Sequence, residues 1–149
     1  MKRSPMPPRK APLKGSSLSR KARAPIARKP LLAKPRPVTP EEREARRIVQ
    51  ERSGGTCEGC RRQPATDWAH RLPRSGGGKW QASNGLHLCR IDCHAWQHAN
   101  TTTAVRMGWT VPRGQDPRDV PVWLPAYGWA FLLDTGDVRI PDDIEGRTA

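Results

Sequence analysis

The stretch that decides the fold reads CEGC at residues 57–60 and CRIDCHAWQH at residues 89–98. All 4 cysteines and all 4 histidines of the 149-residue chain fall between these limits. Two close cysteine pairs are typical of a tetrahedral zinc site, because each pair supplies two thiolates from one turn. With a core this small, the metal would contribute much of the folding free energy. The predicted structural Zn²⁺ ligands are Cys57, Cys60, Cys89 and Cys93.

Two other interpretations of the cysteines stay open at this point. A disulfide framework requires secretion, and no signal peptide precedes the domain. A redox C-x-x-C motif does not need a second cysteine pair. The second pair is spaced C-x3-C, one residue longer than the usual C-x2-C of zinc knuckles.

Positive charge is concentrated at the N-terminus. Of the 27 Lys and Arg residues, 12 lie in residues 1–40, which contain no Asp or Glu and 9 of the 16 prolines. So polar a segment cannot bury enough apolar surface to offset its ordering entropy, which predicts a disordered basic arm. The arm indicates a polyanion partner, DNA above all, bound through phosphate neutralisation and counterion release. A tail that only aids solubility is the alternative.

Capping and hydrophobic patterns predict the elements around the cysteines. Thr39 as N-cap, Pro40 at the first helical position and Gly54 as the stop predict a helix over residues 40–52. Short strands are predicted at 66–72 and 86–88. One helix is predicted from about His94 to Met107, ended by Gly108.

The remainder of the chain is predicted to be β-rich. Strands are expected at 109–111 and 120–124, followed by a hairpin of 129–133 and 138–140. The aromatic residues of this region are expected in the core of so small a domain. They are Trp109, Trp123, Trp129 and Phe131.

The histidines add a second pattern. His94 and His98 are four residues apart, so a helix presents both imidazoles on one face as a two-ligand clamp for a divalent ion. His70 precedes a glycine-rich loop, and Asn84 precedes the second cysteine pair. His87 alternates with two leucines and is expected to be structural.

These residues resemble the HNH endonuclease family. The matching positions are His70, Asn84 and His94, framed by the two cysteine pairs. From about residue 57 to 109, the runs HRLPRSGG, SNGL and CHAW are similar to those of small phage-encoded HNH nucleases. The resemblance implies an α+β fold, a small treble-clef-like ββα-metal domain with structural zinc.

The resemblance also implies a chemistry, which is the metal-dependent hydrolysis of DNA phosphodiester bonds. His70 would be the general base, and Asn84 would brace the loop that orients it. His94 and His98 would hold one divalent cation, which could be Mg²⁺, Mn²⁺, Ni²⁺ or Zn²⁺. Arg71 or Arg74 would bind DNA by clamping a phosphate.

One position departs from the family pattern. Many members carry a metal ligand just before the base, and here that position is Ala69, which cannot ligate. Asp67 lies two residues earlier on the same strand face and would need a bulge or a water to reach the cation. A non-catalytic zinc-ribbon DNA-binding protein, derived from a nuclease, is therefore the second hypothesis. A structural or interaction protein with another acidic partner is the third.

The predicted organisation has three parts. Residues 1–40 are the basic arm, 41–112 the nuclease domain with its N-terminal helix, and 113–149 a β-rich extension packed on that domain. The chain has no run of 18 apolar residues, so no membrane partner is expected and the predicted location is cytoplasmic. Composition leaves a mitochondrial transit peptide open. For a phage-encoded protein, the location is the bacterial host cell and a terminase or other packaging protein is the expected partner.

Overall fold

The computed structural model describes residues 36–141, which form one helix, two strands, two short helices and three strands in chain order. They form a mixed α+β arrangement with one two-stranded and one three-stranded antiparallel sheet. Most of the predicted basic arm lies outside the described residues. The helices are α1 (Pro40–Ser53), α2 (Ala95–Ala99) and α3 (Thr101–Arg106), and the strands are β1 (Asp67–His70), β2 (Gly85–Leu88), β3 (Val122–Leu124), β4 (Gly128–Leu132) and β5 (Val138–Arg139). No helix in this part of the chain is both long enough and apolar enough to cross a bilayer.

Helix α1 begins and ends where its caps predict. The Thr39 hydroxyl accepts a hydrogen bond from the Glu42 backbone N–H at 3.2 Å, and Pro40 occupies the first turn. Gly54 ends the helix with φ at 57°, a left-handed conformation that costs glycine little, and its N–H bonds the Glu51 carbonyl. Val49 is 1% exposed, so the helix packs on the domain through a narrow apolar stripe.

Strands β1 and β2 form the predicted pair, in register from Asp67 opposite Leu88 to His70 opposite Gly85. Ala69 and Leu86 face each other on the buried side, and both are 0% exposed. Because side chains alternate along a strand, His70 falls on the other side of the sheet.

The predicted single helix over 94–107 is wrong. A π-type turn (Arg90–His94) leads into α2, and the chain leaves helical geometry at Asn100, where φ is −118° and ψ is 52°. The Asn100 side chain donates to the Trp96 carbonyl, and its own carbonyl accepts the Ala104 N–H that starts α3. An asparagine that bonds the local backbone in this way competes with the helix and divides it in two.

The predicted strand at 109–111 is also wrong, because its backbone groups bond to separate parts of the chain rather than to one neighbouring strand. Thr110 donates its N–H to the Ala104 carbonyl, and Val111 donates to the Arg71 carbonyl. Trp109 is nevertheless in the core, 4% exposed, with its indole N–H on the Trp123 carbonyl.

The C-terminal hairpin is confirmed, but its predicted core face is wrong. Trp123 pairs with Trp129 across β3 and β4 on the half-exposed side, and the Arg139 guanidinium lies 4.3 Å from the Phe131 ring centroid on β4. The inward face consists of smaller residues, all 0% exposed. They are Val122, Leu124, Ala130 and Leu132.

The core joins both sheets. Leu86 and Leu88 of the first sheet belong to one buried cluster with Leu124 and Leu132 of the second. Three of the four cysteines lie in the same cluster, and Cys60 packs against it. The candidate metal centre is therefore built into the main core rather than appended to it.

Candidate metal centre and histidine site

The four cysteines converge on one point. Their Sγ atoms all lie within 4.8 Å of one another, and all four thiols are free of disulfides. Four sulfurs at about 2.3 Å from a tetrahedral Zn²⁺ are separated by about 3.8 Å, so small adjustments would close the shell. The group of Cys57, Cys60, Cys89 and Cys93 could hold a structural metal ion such as zinc, and the disulfide alternative is not what the structure forms.

The backbone around the cysteines is arranged in a way that suits metal binding. The Cys89 N–H donates to the Cys57 sulfur at 3.2 Å, and the Cys93 N–H donates to the Cys89 sulfur at 3.4 Å. Gly59 is required between the first pair, because a Cβ there would lie 2.4 Å from the Trp109 ring. Burial raises the pKa of the Cys57 and Cys93 thiols, so a cation is what would make four ionised sulfurs stable in this core.

A second group of ligating atoms lies at the start of α2. The Nε2 atoms of His94 and His98 are 3.1 Å apart. Two nitrogens bound to one ion at about 2.0–2.1 Å are separated by about 2.9–3.4 Å, so the spacing fits two ligands of a single cation. His98 is exposed and His94 is partly so. Within residues 36–141, only the cysteines form a group of three or more side chains that could hold a metal, so a cation on this pair would need further ligands from water or substrate.

Asp67 orients the histidine pair. Its Oδ2 lies 3.0 Å from Nδ1 of His94, the ring nitrogen opposite the one that faces His98. A carboxylate on the second nitrogen of a ligating histidine fixes its tautomer and ring orientation. Hydrogen bonding from the exposed Arg90 guanidinium, joined by His94, lowers the pKa of Asp67 to about 2, so the carboxylate is ionised at neutral pH. Asp67 therefore supports the pair from behind, and no bulge is needed for that contact.

His70 ends β1, beside the same helix. The Gln97 side chain on α2 donates to the His70 carbonyl at 3.2 Å and to the Trp109 carbonyl at 2.7 Å. His94, at the end of the π-type turn, contacts the first residue of β1, and Gln97, on α2, contacts the last. The His70 backbone is therefore tied to α2, while alternation along β1 puts its imidazole on the strand face opposite Asp67, the residue that contacts His94.

The His70 ring is packed among aromatic residues. Its centroid lies 4.5 Å from that of Trp80 and 5.8 Å from that of Trp68. Burial lowers the pKa of His70 to about 4, and the nearby Arg74 and Arg46 guanidiniums act in the same direction. Its Nε2 is buried without a hydrogen-bond partner. His70 is therefore a neutral imidazole at physiological pH.

Asn84 braces the loop that follows His70. Its side-chain oxygen accepts the Leu72 N–H at 2.6 Å, and its amide donates to the Leu72 and Lys79 carbonyls. Asn84 is 0% exposed, so these bonds are made in the interior, where they are costly to lose. The contacts match those that the resemblance implies, and the part of Asn84 in catalysis stays a prediction.

The prediction that Arg71 contacts DNA is wrong. Arg71 is 0% exposed, and its guanidinium donates to four backbone carbonyls from three separate segments. The acceptors are Gly108, Ser83, Pro117 and Val120, at 2.6–3.0 Å. The residue joins the loop after β1 to the segment before β3 and cannot reach a phosphate. Arg74, the other predicted clamp, is exposed.

Sequence reasoning missed three residues of this region. Gln97, Trp80 and Arg46 each contact His70 or its immediate neighbours. Gln97 lies between the two histidines on one helical turn, so its spacing held a signal. Trp80 and Arg46 carried none, because Trp80 lies in a loop without a periodic pattern and Arg46 is one of several arginines on a charged helix.

The comparisons add no relative. Searches against protein-family models, curated proteins and solved structures found no match to this chain.

Proposed function

We propose that the chain is a metal-dependent DNA endonuclease of the HNH class, of the small phage-encoded kind. The observation that carries the proposal is the His94–His98 pair, whose Nε2 atoms are 3.1 Å apart and whose first member is held by Asp67. The order of elements supports it: two antiparallel strands and then a helix, with His70 at the end of the first strand.

The residues divide the chemistry among them. A divalent cation held by His94 and His98 would supply positive charge against the oxygens of the scissile phosphate. His70, neutral at physiological pH, takes a proton from the attacking water. Asn84 holds the backbone just after His70, which limits the movement of the strand end. The cysteine cluster fixes β2 and the start of the π-type turn, and so fixes the position of His94.

The experiment is a plasmid-relaxation assay on the zinc-loaded full chain with added Mg²⁺, Mn²⁺ or Ni²⁺. The proposal predicts metal-dependent nicking, and a fall of about 10²–10⁴-fold in rate for His70→Ala. His87→Gln is the matched control, because the His87 ring bonds Ser53 on α1 and has no part in the proposed chemistry. Equal cleavage by the parent and His70→Ala under the same conditions contradicts the proposal.

A second candidate is a non-catalytic, zinc-containing DNA-binding protein. The observation that favours it is the burial of the His70 Nε2 without a partner, together with Ala69 at 0% exposure where a ligand would otherwise stand. This candidate predicts DNA binding with intact plasmid under every metal, and binding that His94→Ala leaves unchanged.

A further inference from the structure

Two arginines from distant parts of the chain meet on one tryptophan beside His70. The Arg46 guanidinium carbon, from α1, lies 4.9 Å from the Trp80 ring centroid, and that of Arg74, from the loop after β1, lies 6.0 Å away. The same indole packs 4.5 Å from the His70 ring and 5.2 Å from Trp68. Trp80 is therefore the common platform of a neutral imidazole and two guanidiniums.

The platform carries uncompensated positive charge. Arg46 pairs with Glu42, but Arg36 pairs with the same buried carboxylate, so two cations share one anion. Arg74 has no carboxylate partner within the described part of the chain. Arg46 and Arg74 are both exposed. Their positive charge also contributes to the lowered pKa of His70, after burial.

The guanidinium contacts leave donors available. Arg46 uses Nε and Nη2 on Glu42. Within residues 36–141, Arg46 Nη1 has no acceptor and Arg74 makes no hydrogen bond. Stacking on an indole holds a guanidinium in place while its N–H edge remains free for the oxygens of a phosphate. A guanidinium that is already held in place loses less conformational entropy when it binds a phosphate.

We propose that Arg46 and Arg74, held on Trp80, bind the DNA backbone phosphates next to the bond presented to His70. This rests on the proposed function, because it takes DNA as the substrate. It makes α1, which lies outside the stretch that resembles the nuclease family, part of the substrate site. Arg46 and Arg74 then contact the substrate directly, and Trp80 is the positioning residue that holds both guanidiniums.

The test measures DNA affinity against salt concentration, separately from cleavage. A fluorescent duplex is titrated with the zinc-loaded full chain, without added divalent cation, for Arg46→Gln, Arg74→Gln and the double variant. Each single variant is expected to weaken binding and to reduce the slope of log K against log salt by about 1. Arg46→Lys, which keeps the charge but loses the planar fork, is expected to restore binding only in part.

Two controls separate contact from net charge. Arg47→Gln alters the next residue of α1, whose guanidinium is already paired with Glu44 and Glu51. Arg113→Gln removes an exposed charge that is not one of the two guanidiniums on Trp80. Trp80→Leu is the complementary variant, because it removes the platform without changing charge, and it is expected to weaken binding when thermal unfolding shows the protein still folded.

The outcomes distinguish this proposal from the nuclease proposal. The proposed phosphate contact is overturned if Arg46→Gln and Arg74→Gln show the same slope of log K against log salt as the two controls. This holds even if the protein cleaves DNA. If the two variants lower the salt slope but no metal supports cleavage, the arginines are confirmed as DNA contacts and the nuclease proposal is overturned. A parent protein that does not bind DNA overturns both.

Discussion

The cysteine cluster and the histidine pair both consist of side chains that could bind a metal, yet the first is enclosed in the core and the second lies open at the surface. The cysteines offer four ligands, of which Cys57 is 0% exposed and Cys89 is 3% exposed, within the main core. The histidines offer two ligands on the surface of one helix, with an oriented carboxylate behind them. Structural zinc sites are closed, whereas catalytic sites keep positions for water and substrate. We therefore expect the cysteine cluster to stabilise the fold, and we propose that the histidine pair takes part in the chemistry.

The largest effect is expected from breaking the cysteine cluster. Cys57→Ser should abolish cooperative folding, because apparent zinc-binding free energies of about 10–16 kcal/mol equal or exceed the stability of a small domain. Circular dichroism and metal analysis of the purified variant would check this. His98→Ala is the control, and it should retain zinc and its unfolding temperature. A folded, zinc-free Cys57→Ser protein with the parental melting curve would refute the structural assignment.

A smaller effect is expected at the carboxylate behind the histidine pair. Asp67→Asn keeps the side-chain shape but removes the charge that fixes the His94 tautomer, so cation affinity or cleavage rate should fall by about 10–100-fold. The measured quantity is the Mn²⁺ concentration that gives half the maximal cleavage rate. Arg90→Gln, which removes the other partner of Asp67, should change it less. If Asp67→Asn matched the parent, the carboxylate would not orient the site.

The smallest effect concerns pH. A pKa of about 4 for His70 means that the proposed base is protonated only well below neutral pH, so its neutral fraction stays nearly constant between pH 8 and 6. An ordinary histidine with a pKa of about 6.5 would lose about three quarters of its neutral form at pH 6. Single-turnover rates at saturating Mn²⁺ should therefore change by less than about twofold over this range. A fourfold decline fitting a pKa near 6.5 would show that His70 is not depressed.

Much of the framework could be predicted from local signals. Thr39 and Gly54 fixed the limits of α1, because capping depends on neighbouring residues alone. The cysteine spacing predicted the group that the fold assembles. The hairpin around residues 134–137 followed from turn chemistry. Each of these depends on few residues close in the chain.

The errors fall where distant segments decide the outcome. Arg71 looks like a surface arginine in a polar loop, and only the approach of the segments at 108, 117 and 120 supplies its carbonyl partners. The size of the aromatic residues on β3 and β4 predicts that they form the core, but an alternating pattern does not say which face of the sheet is covered. The first sheet and Trp109 pack in one cluster with the smaller residues, so Trp123 stays half exposed.

The most direct test of the two roles is one comparison of cleavage and zinc content in the parent and His98→Ala. Cleavage is measured across a Mg²⁺ or Mn²⁺ titration, and bound zinc is measured on the same samples. We expect the variant to keep its zinc and its fold while it needs at least about tenfold more cation for the same rate. Superimposable titration curves, or loss of zinc from the variant, would contradict the division between a closed structural site and an open catalytic one.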